Sequence, residues 1–192
     1  MRKTLWVFTS LLILIASVGL VRAWGTNQPV ACDFVTGGGF IVGGTGDSLP
    51  SGAHGNFGVG GGVKNGAFWG HLEYNDHGTA PTRQIHGTGV CNYQFVDPTT
   101  RDIFGTCQDS VTGACSYRVR VNDKGEPGIN NDEFTILVCP PTSGCNTSCD
   151  SAAALYKAGK FFDGNPIRGG NIQLHKGNAS NTPPPNYTCQ TQ

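Results

Sequence analysis

Residues 37–78 read GGGFIVGGTGDSLPSGAHGNFGVGGGVKNGAFWGHLEYNDHG. From Asn56 onward every second residue belongs to one set: Phe57, Val59, Gly61 and Val63. Lys64-Asn65-Gly66 follows, and then Phe68, Gly70, Leu72 and Tyr74 resume the alternation up to the polar turn Asn75–Gly78. A period of two belongs to half-buried strands, whose successive side chains point to opposite faces. Asn-Gly between two such runs is the strongest short-range hairpin signal, because both central residues of that turn need positive φ. The stretch therefore predicts strands over 56–63 and 67–74 and an all-β fold. Trp69, His71 and Glu73 fall on the face opposite Phe68, Leu72 and Tyr74. Glycine runs inside a strand mark bulges or the close approach of another backbone.

The same reading extends outward. Asp33–Val42 is a glycine-interrupted first strand, and Gly43–Ala53 is a surface loop. Arg83–Val96 is a long strand with Ile85, Gly87, Gly89, Cys91, Tyr93 and Phe95 on one face. Asp97–Thr100 is a turn, Ile103–Cys107 returns, and Cys115–Val121 carries Tyr117, Val119 and Val121 in register. Asn122–Asp132 is a polar, turn-rich loop before the buried strand Phe134–Val138. Pro140–Ser151 is a cysteine-bearing excursion. Ala152–Lys160 has the helix formers Ala152, Ala153, Ala154 and Leu155 of a helical turn, but its surroundings favour a return strand carrying Leu155, Lys157 and Phe161. Gly169–Lys176 is the last strand. Short strands separated by frequent turn signals predict an antiparallel β-sandwich or partly open barrel.

Residues 1–23 read as a secretory signal peptide: basic Arg2-Lys3, the apolar run Leu5–Leu20, and the small cleavage-type end Val21-Arg22-Ala23. Residues 24–32 form a lead-in, 33–176 the β domain, and 177–192 a loose Pro/Asn-rich tail pinned at Cys189. No second apolar run follows, so no membrane embedding is expected after cleavage. Without Arg2, Lys3 and Arg22 the chain carries ten basic against thirteen acidic side chains. That balance excludes a nucleic-acid partner, which needs clustered Lys and Arg. All eight cysteines lie beyond the leader. An even count in an exported chain implies disulfides rather than zinc, although Cys145 and Cys149 have acceptable zinc spacing. Eight cysteines allow 105 pairings. Local geometry favours Cys107–Cys115, which face each other across a predicted hairpin, and then Cys139–Cys149 at the base of the excursion, with Cys145 competing for either partner. Cys32, Cys91 and Cys189 are left for long-range partners.

The run GAHGNFGVGGGVKNGAFWGHLEYNDHG, then IHGTGV, DPTTR, NDKGEPG with DEF, and GGNIQLHK, resembles the P type domain that follows choice-of-anchor modules in exported bacterial proteins. The likeness runs from about Asp33 to Lys176. It implies an extracellular β-rich module with no established activity. The chain departs from that pattern in its many cysteines and in lacking an anchor module or sorting motif, which favours a soluble secreted protein.

Four constellations in the sequence bear on chemistry. His71 and Glu73 share a strand face, and His86 would join them across the next hairpin; imidazole with carboxylate suits zinc. The plainer alternative is a polar outer face. Asp123, Glu126 and Asp132, with Asn122, Asn130 and Asn131, supply oxygen ligands suited to Ca2+, although Asp and Asn are also ordinary turn residues. Trp69 and Tyr74, with Phe68 and Tyr93, could offer a stacking platform to a glycan, although most aromatics at period two are core. No catalytic set is legible: Ser116 and Ser151 lack nucleophile-elbow flanks, and GVGGGVK lacks the ending of a phosphate loop. Asn146, Asn178 and Asn186 stand in N-x-[ST] patterns, which the bacterial resemblance makes incidental. The expectation is a secreted structural or adhesion module without catalytic activity, acting on an extracellular protein or glycan. A calcium-, zinc- or glycan-binding module is the alternative, and a hydrolase the more distant one.

Overall fold

The computed structural model describes residues 32–189. The expected signal peptide and most of the lead-in lie outside the described residues. Nine strands form one antiparallel sheet: β1 (Phe34–Val42), β2 (His54–Lys64), β3 (Ala67–Asp76), β4 (Arg83–Asp97), β5 (Thr100–Asp109), β6 (Gly113–Asn122), β7 (Glu133–Cys139), β8 (Tyr156–Gly159) and β9 (Gly169–His175). The order β8-β7-β6-β5-β4-β3-β2-β1-β9 is a meander in which only β9 returns from a distance, to the free side of β1. The sheet curls into a half-barrel, so of the two expected architectures the partly open barrel is realised. The return strand read over Leu155–Phe161 is shorter than expected. It ends at Gly159, and α1 (Lys160–Asp163) follows as a single turn capped by the left-handed Gly164.

The opening hairpin forms as its sequence dictates. Asn65 and Gly66 have φ of 51° and 76°, and Val63 sits opposite Phe68. The inner face carries Val35, Phe57, Val59, Leu72, Ile85 and Ile103, all in one buried cluster with residues of β6, β7 and β9. The curl is measured by a contact across it: Phe57 of β2 stacks on Phe134 of β7 with centroids 4.0 Å apart, five strands away in the sheet. Tyr74 of β3 likewise meets Tyr156 of β8 at 5.7 Å. Gly61 lets that interior close. A Cβ there would stand 2.7 Å from the Ile103 side chain, so the glycine leaves the room that Ile103 fills.

Three irregularities break the pairing of β4 with β5, between Gly87 and Gly89, Val90 and Asn92, and Phe95 and Asp97. They correct the expected single face of β4. Ile85 and Tyr93 are buried, but Phe95 is half-buried and lies under the Arg101 guanidinium. Cys91 falls at the second irregularity and pairs with Cys145 of the excursion. A bulge re-aims side chains in this way because one strand gains a residue its partner lacks.

The four disulfides are Cys32–Cys189, Cys91–Cys145, Cys107–Cys115 and Cys139–Cys149. Both locally argued pairs form, and Cys145 takes Cys91 rather than either of them. Cys107 and Cys115 are direct cross-strand partners with Cα atoms 4.8 Å apart. Four disulfides are the signature of an oxidising compartment. Among the described residues no helix is long and apolar enough to cross a membrane.

The free edges of the sheet are sealed by loops, against the expectation of plain surface loops. The 43–53 loop covers β8. Ser48 N donates to the Lys157 carbonyl at 2.7 Å, and the Asp47 carboxylate accepts from Gly159 N at 3.0 Å. Leu49 of this loop is buried in the core. The 123–132 loop covers β9 with carboxylates in place of a strand. Unpaired edges invite association with other chains, and covering them is one way natural sheets avoid it.

The segment expected to be a loose tail is instead docked along residues 177–189. Asn181 is buried and donates to the Val63 carbonyl at 2.9 Å, while Cys32 N donates to the Asn181 carbonyl. Tyr187 packs edge-on against Phe68 and donates its hydroxyl to the Tyr93 carbonyl. Beside it the buried Arg101 guanidinium is held by Asp33 and donates to the carbonyls of Asp97 and Thr100 at 2.6 and 2.7 Å. Together with Cys32–Cys189 these groups cork one end of the half-barrel.

Candidate functional site

The hairpin register places Glu73 of β3 directly opposite His86 of β4, and the Glu73 carboxylate contacts His86 Nδ1. This is the juxtaposition the alternation predicts. Both side chains are at least half exposed. His71 lies on the same face, over the β2 glycines opposite Gly60. Trp69 lies flat on that surface too. Its ring borders Gly60 and Gly62 and tilts against Phe34 at 5.8 Å, and its Nε1 is closed to solvent without an acceptor. Tyr74 must be removed from any glycan platform. It is fully buried on the inner face, and its hydroxyl bonds that of Tyr156 at 3.0 Å. Burial pushes its phenol pKa upward. Alternation already set Tyr74 with the core side chains, and the curl then closed β8 over it.

The expected calcium loop uses its carboxylates on backbone. Asp132 Oδ1 accepts from Lys124 N at 2.9 Å and Oδ2 from Ile172 N at 2.8 Å. Asp123 Oδ2 accepts from Leu174 N at 2.8 Å, and Glu126 accepts from the Asn171 amide. Asp132 and Asp123 do for the outer edge of β9 what a tenth strand would do: they supply acceptors to the alternate backbone amides of Ile172 and Leu174, while Glu126 holds only the Asn171 side chain. Asp132 is fully buried, and burial raises its pKa. Among the described residues no group of three or more His, Cys, Asp or Glu could hold a metal ion.

A groove that sequence reasoning passed over lies on the outer face of β5–β7. In YRVRV, Tyr117, Val119 and Val121 point inward, so Arg118 and Arg120 point outward. Asp102 of β5 is Arg120's direct cross-strand partner, and its carboxylate is clamped by both guanidinium groups. Arg120 Nε and Nη2 reach it at 2.8 Å each and Arg118 Nη2 at 2.7 Å. Hydrogen bonding to Asp102 holds the Arg120 pKa above its ordinary value. The Asp102 side chain is only 3% exposed, whereas those of Arg118 and Arg120 are 25% and 35% exposed. The carboxylate is thus a buried post that fixes two accessible cations.

The groove walls come from the segments on either side of β8. The excursion, fastened by Cys139–Cys149 and Cys91–Cys145, sets Asp150 and Ser151 along one side. Gly159 ends β8 with φ of 100°, and α1 then raises Phe161, 67% exposed, on the other. A hollow of about 200 Å³ over Arg118, Thr135 and Leu137 adjoins one of about 400 Å³ over Val96, Thr100 and Asn122. Arg120, Thr135 and Phe161 line both. At the far end Glu133 meets Lys124 at 2.5 Å and Lys160 at 3.4 Å. Burial alone would raise the Glu133 pKa, but the hydrogen bond from Lys124 and the two ammonium charges outweigh it and hold the carboxyl low. The side chain of Thr100 does the same for Asp97. The legible signal was the Arg-x-Arg alternation facing an Asp; what hid the site was that Phe161 and Asp150 reach it only through the fold.

Comparison with protein-family models, with curated proteins and with solved structures finds no match to any of them.

Proposed function

We propose that the protein is a secreted, non-catalytic adhesion-type module: a rigid, cross-linked body that presents a binding surface outside the cell. The observation that carries this reading is where its polar groups are spent. Asp33, Asp47, Asp123 and Asp132 serve backbone amides or a buried arginine, and Tyr74, Tyr156 and Asp76 bond one another. Such groups rigidify a scaffold. Four disulfides add to that rigidity, and rigidity lowers the entropic cost of holding a binding surface in shape. The likeness to the P type domain of exported bacterial proteins supports the same reading.

The test is retention of the purified, disulfide-intact chain on cell-envelope and extracellular-matrix polymers, beside a reduced and alkylated control. Retention by the intact chain and its loss on reduction are expected. Absence of retention, or turnover of ester or glycoside substrates by the intact chain, overturns the reading. Export is tested separately: the secreted chain should begin at Trp24.

A further inference from the structure

We infer that the β5–β7 groove is a binding site for an uncharged saccharide chain, with Phe161 as its stacking ring and Arg118 and Arg120 as its fixed donors. The inference rests on the adhesion reading and names its surface and ligand class.

The groove runs over the face of the sheet, not along an edge. β5, β6 and β7 are each paired on both sides along it, so their backbone has no ladder to offer an extended peptide. Recognition there must come from side chains. Those side chains are already held in place. Asp102 occupies Nε and Nη2 of Arg120, leaving the whole of Nη1 and one Nη2 hydrogen without a protein acceptor in that clamp. A guanidinium fixed by a buried carboxylate loses little further freedom when a ligand arrives.

Acceptors stand beside these donors. Asp150 lines one end, where its Oδ1 accepts from Ala152 and Ala153 N and its Oδ2 faces no backbone amide of that turn. Glu133 lines the other, held by Asn122, Lys124 and Lys160. Thr135, whose Oγ1 accepts from Phe161 N and whose hydroxyl hydrogen is a further donor, lies between them. A sugar hydroxyl donates and accepts at once, so a floor with both kinds of partner suits it. Phe161 supplies the remaining requirement, a ring with an apolar face open to the ligand.

Charge decides which saccharide. Arg118, Arg120, Lys124 and Lys160 are matched by Asp97, Asp102, Glu133 and Asp150 around the groove. Four against four leaves no field to draw in a polyanion. An uncharged chain pays no such penalty and reads the individual donors and acceptors.

The experiment uses the full disulfide-bonded chain in affinity electrophoresis and calorimetry. The probes are soluble neutral β-glucan, α-glucan and chito-oligosaccharides, with alginate and heparin as acidic counterparts. Binding to at least one neutral probe is expected. Phe161→Ala should weaken it about tenfold, in line with the loss of one aromatic contact. Because Phe161 is exposed, its thermal stability should be unchanged. Arg120→Leu should weaken the same binding, and Trp69→Ala, over β2 and away from the groove on the outer face, should not.

Neutral binding that is indifferent to Phe161→Ala and Arg120→Leu overturns the site. Binding confined to alginate or heparin and abolished by salt overturns the ligand class. Failure of every saccharide overturns the inference altogether. If the same preparation is still retained on matrix polymers, the adhesion reading survives that failure; if it is not, both fall.

Discussion

Removing the Asp33 carboxylate tests the energetic logic of the corked end most directly. Arg101 is 1% exposed and among the largest fully buried side chains. Its Nε lies 3.2 Å from both Asp33 oxygens, and its Nη2 also donates to Asp33. Asp33 additionally accepts from the Tyr93 hydroxyl at 2.8 Å. Burial works against the arginine's charge, but the hydrogen bonds and charge of Asp33 outweigh it and raise the Arg101 pKa. In Asp33→Ala the guanidinium keeps the carbonyls of Asp97 and Thr100 and the face of Phe95 but has no counter-charge, and it remains charged and buried. Breaking a buried pair from one side costs about 3–5 kcal/mol, against about 0–1 kcal/mol for an exposed pair. Asp33→Asn, which retains one acceptor oxygen, should fall toward the lower end. The double variant Asp33→Leu/Arg101→Met leaves no charge stranded and should be more stable than Asp33→Ala. The assay is urea unfolding followed by tryptophan fluorescence with all disulfides intact, where a shifted midpoint at constant slope reports stability alone. A loss under about 1 kcal/mol in Asp33→Ala, in the range of an exposed pair, would refute the reasoning. So would a double variant as unstable as the sum of its parts.

Other outcomes follow from the same structure. In the chain-entropy model the Cys32–Cys189 link, spanning 157 residues, should contribute about 5 kcal/mol and the 8-residue Cys107–Cys115 link about 2.5 kcal/mol; paired Cys→Ser variants compared by urea midpoint check that order. Asp47 is pushed up from 3.8 to about 6, by burial first and by neighbouring Asp163 as well. The folded state therefore holds a proton the unfolded state releases, so melting temperature should fall as pH rises from about 4 through about 6, and Asp47→Asn should flatten that window. Gly61→Val would drive a side chain into Ile103 and should cost roughly 1–3 kcal/mol by overpacking, whereas Gly58→Ala, with nothing within 4 Å, should cost far less; parallel thermal melts separate the two.

What the sequence determined by itself is local. Outside the bulged β4, alternation set which side chains share a strand face, because the pleat of a regular strand has a period of two. Asn65-Gly66 set the first hairpin, because few other pairs adopt two positive φ values in succession. Cys107 and Cys115 were paired through a hairpin register that only nearby residues specify, and so was the contact of Glu73 with His86. The tertiary structure decided whatever depends on curl. Phe57 meeting Phe134, Tyr156 closing over Tyr74, and Cys32 meeting Cys189 are contacts between segments whose separation no local pattern encodes. Asp123 and Asp132 read as metal ligands in one dimension; they became edge caps because β9 arrived with unpaired amides facing them. The groove belongs to the same class. Arg118, Arg120 and Asp102 could be set on one face from their strands, but Phe161 and Asp150 come to it only because a short β8 pairs with β7 and carries its flanking segments onto the sheet's outer surface.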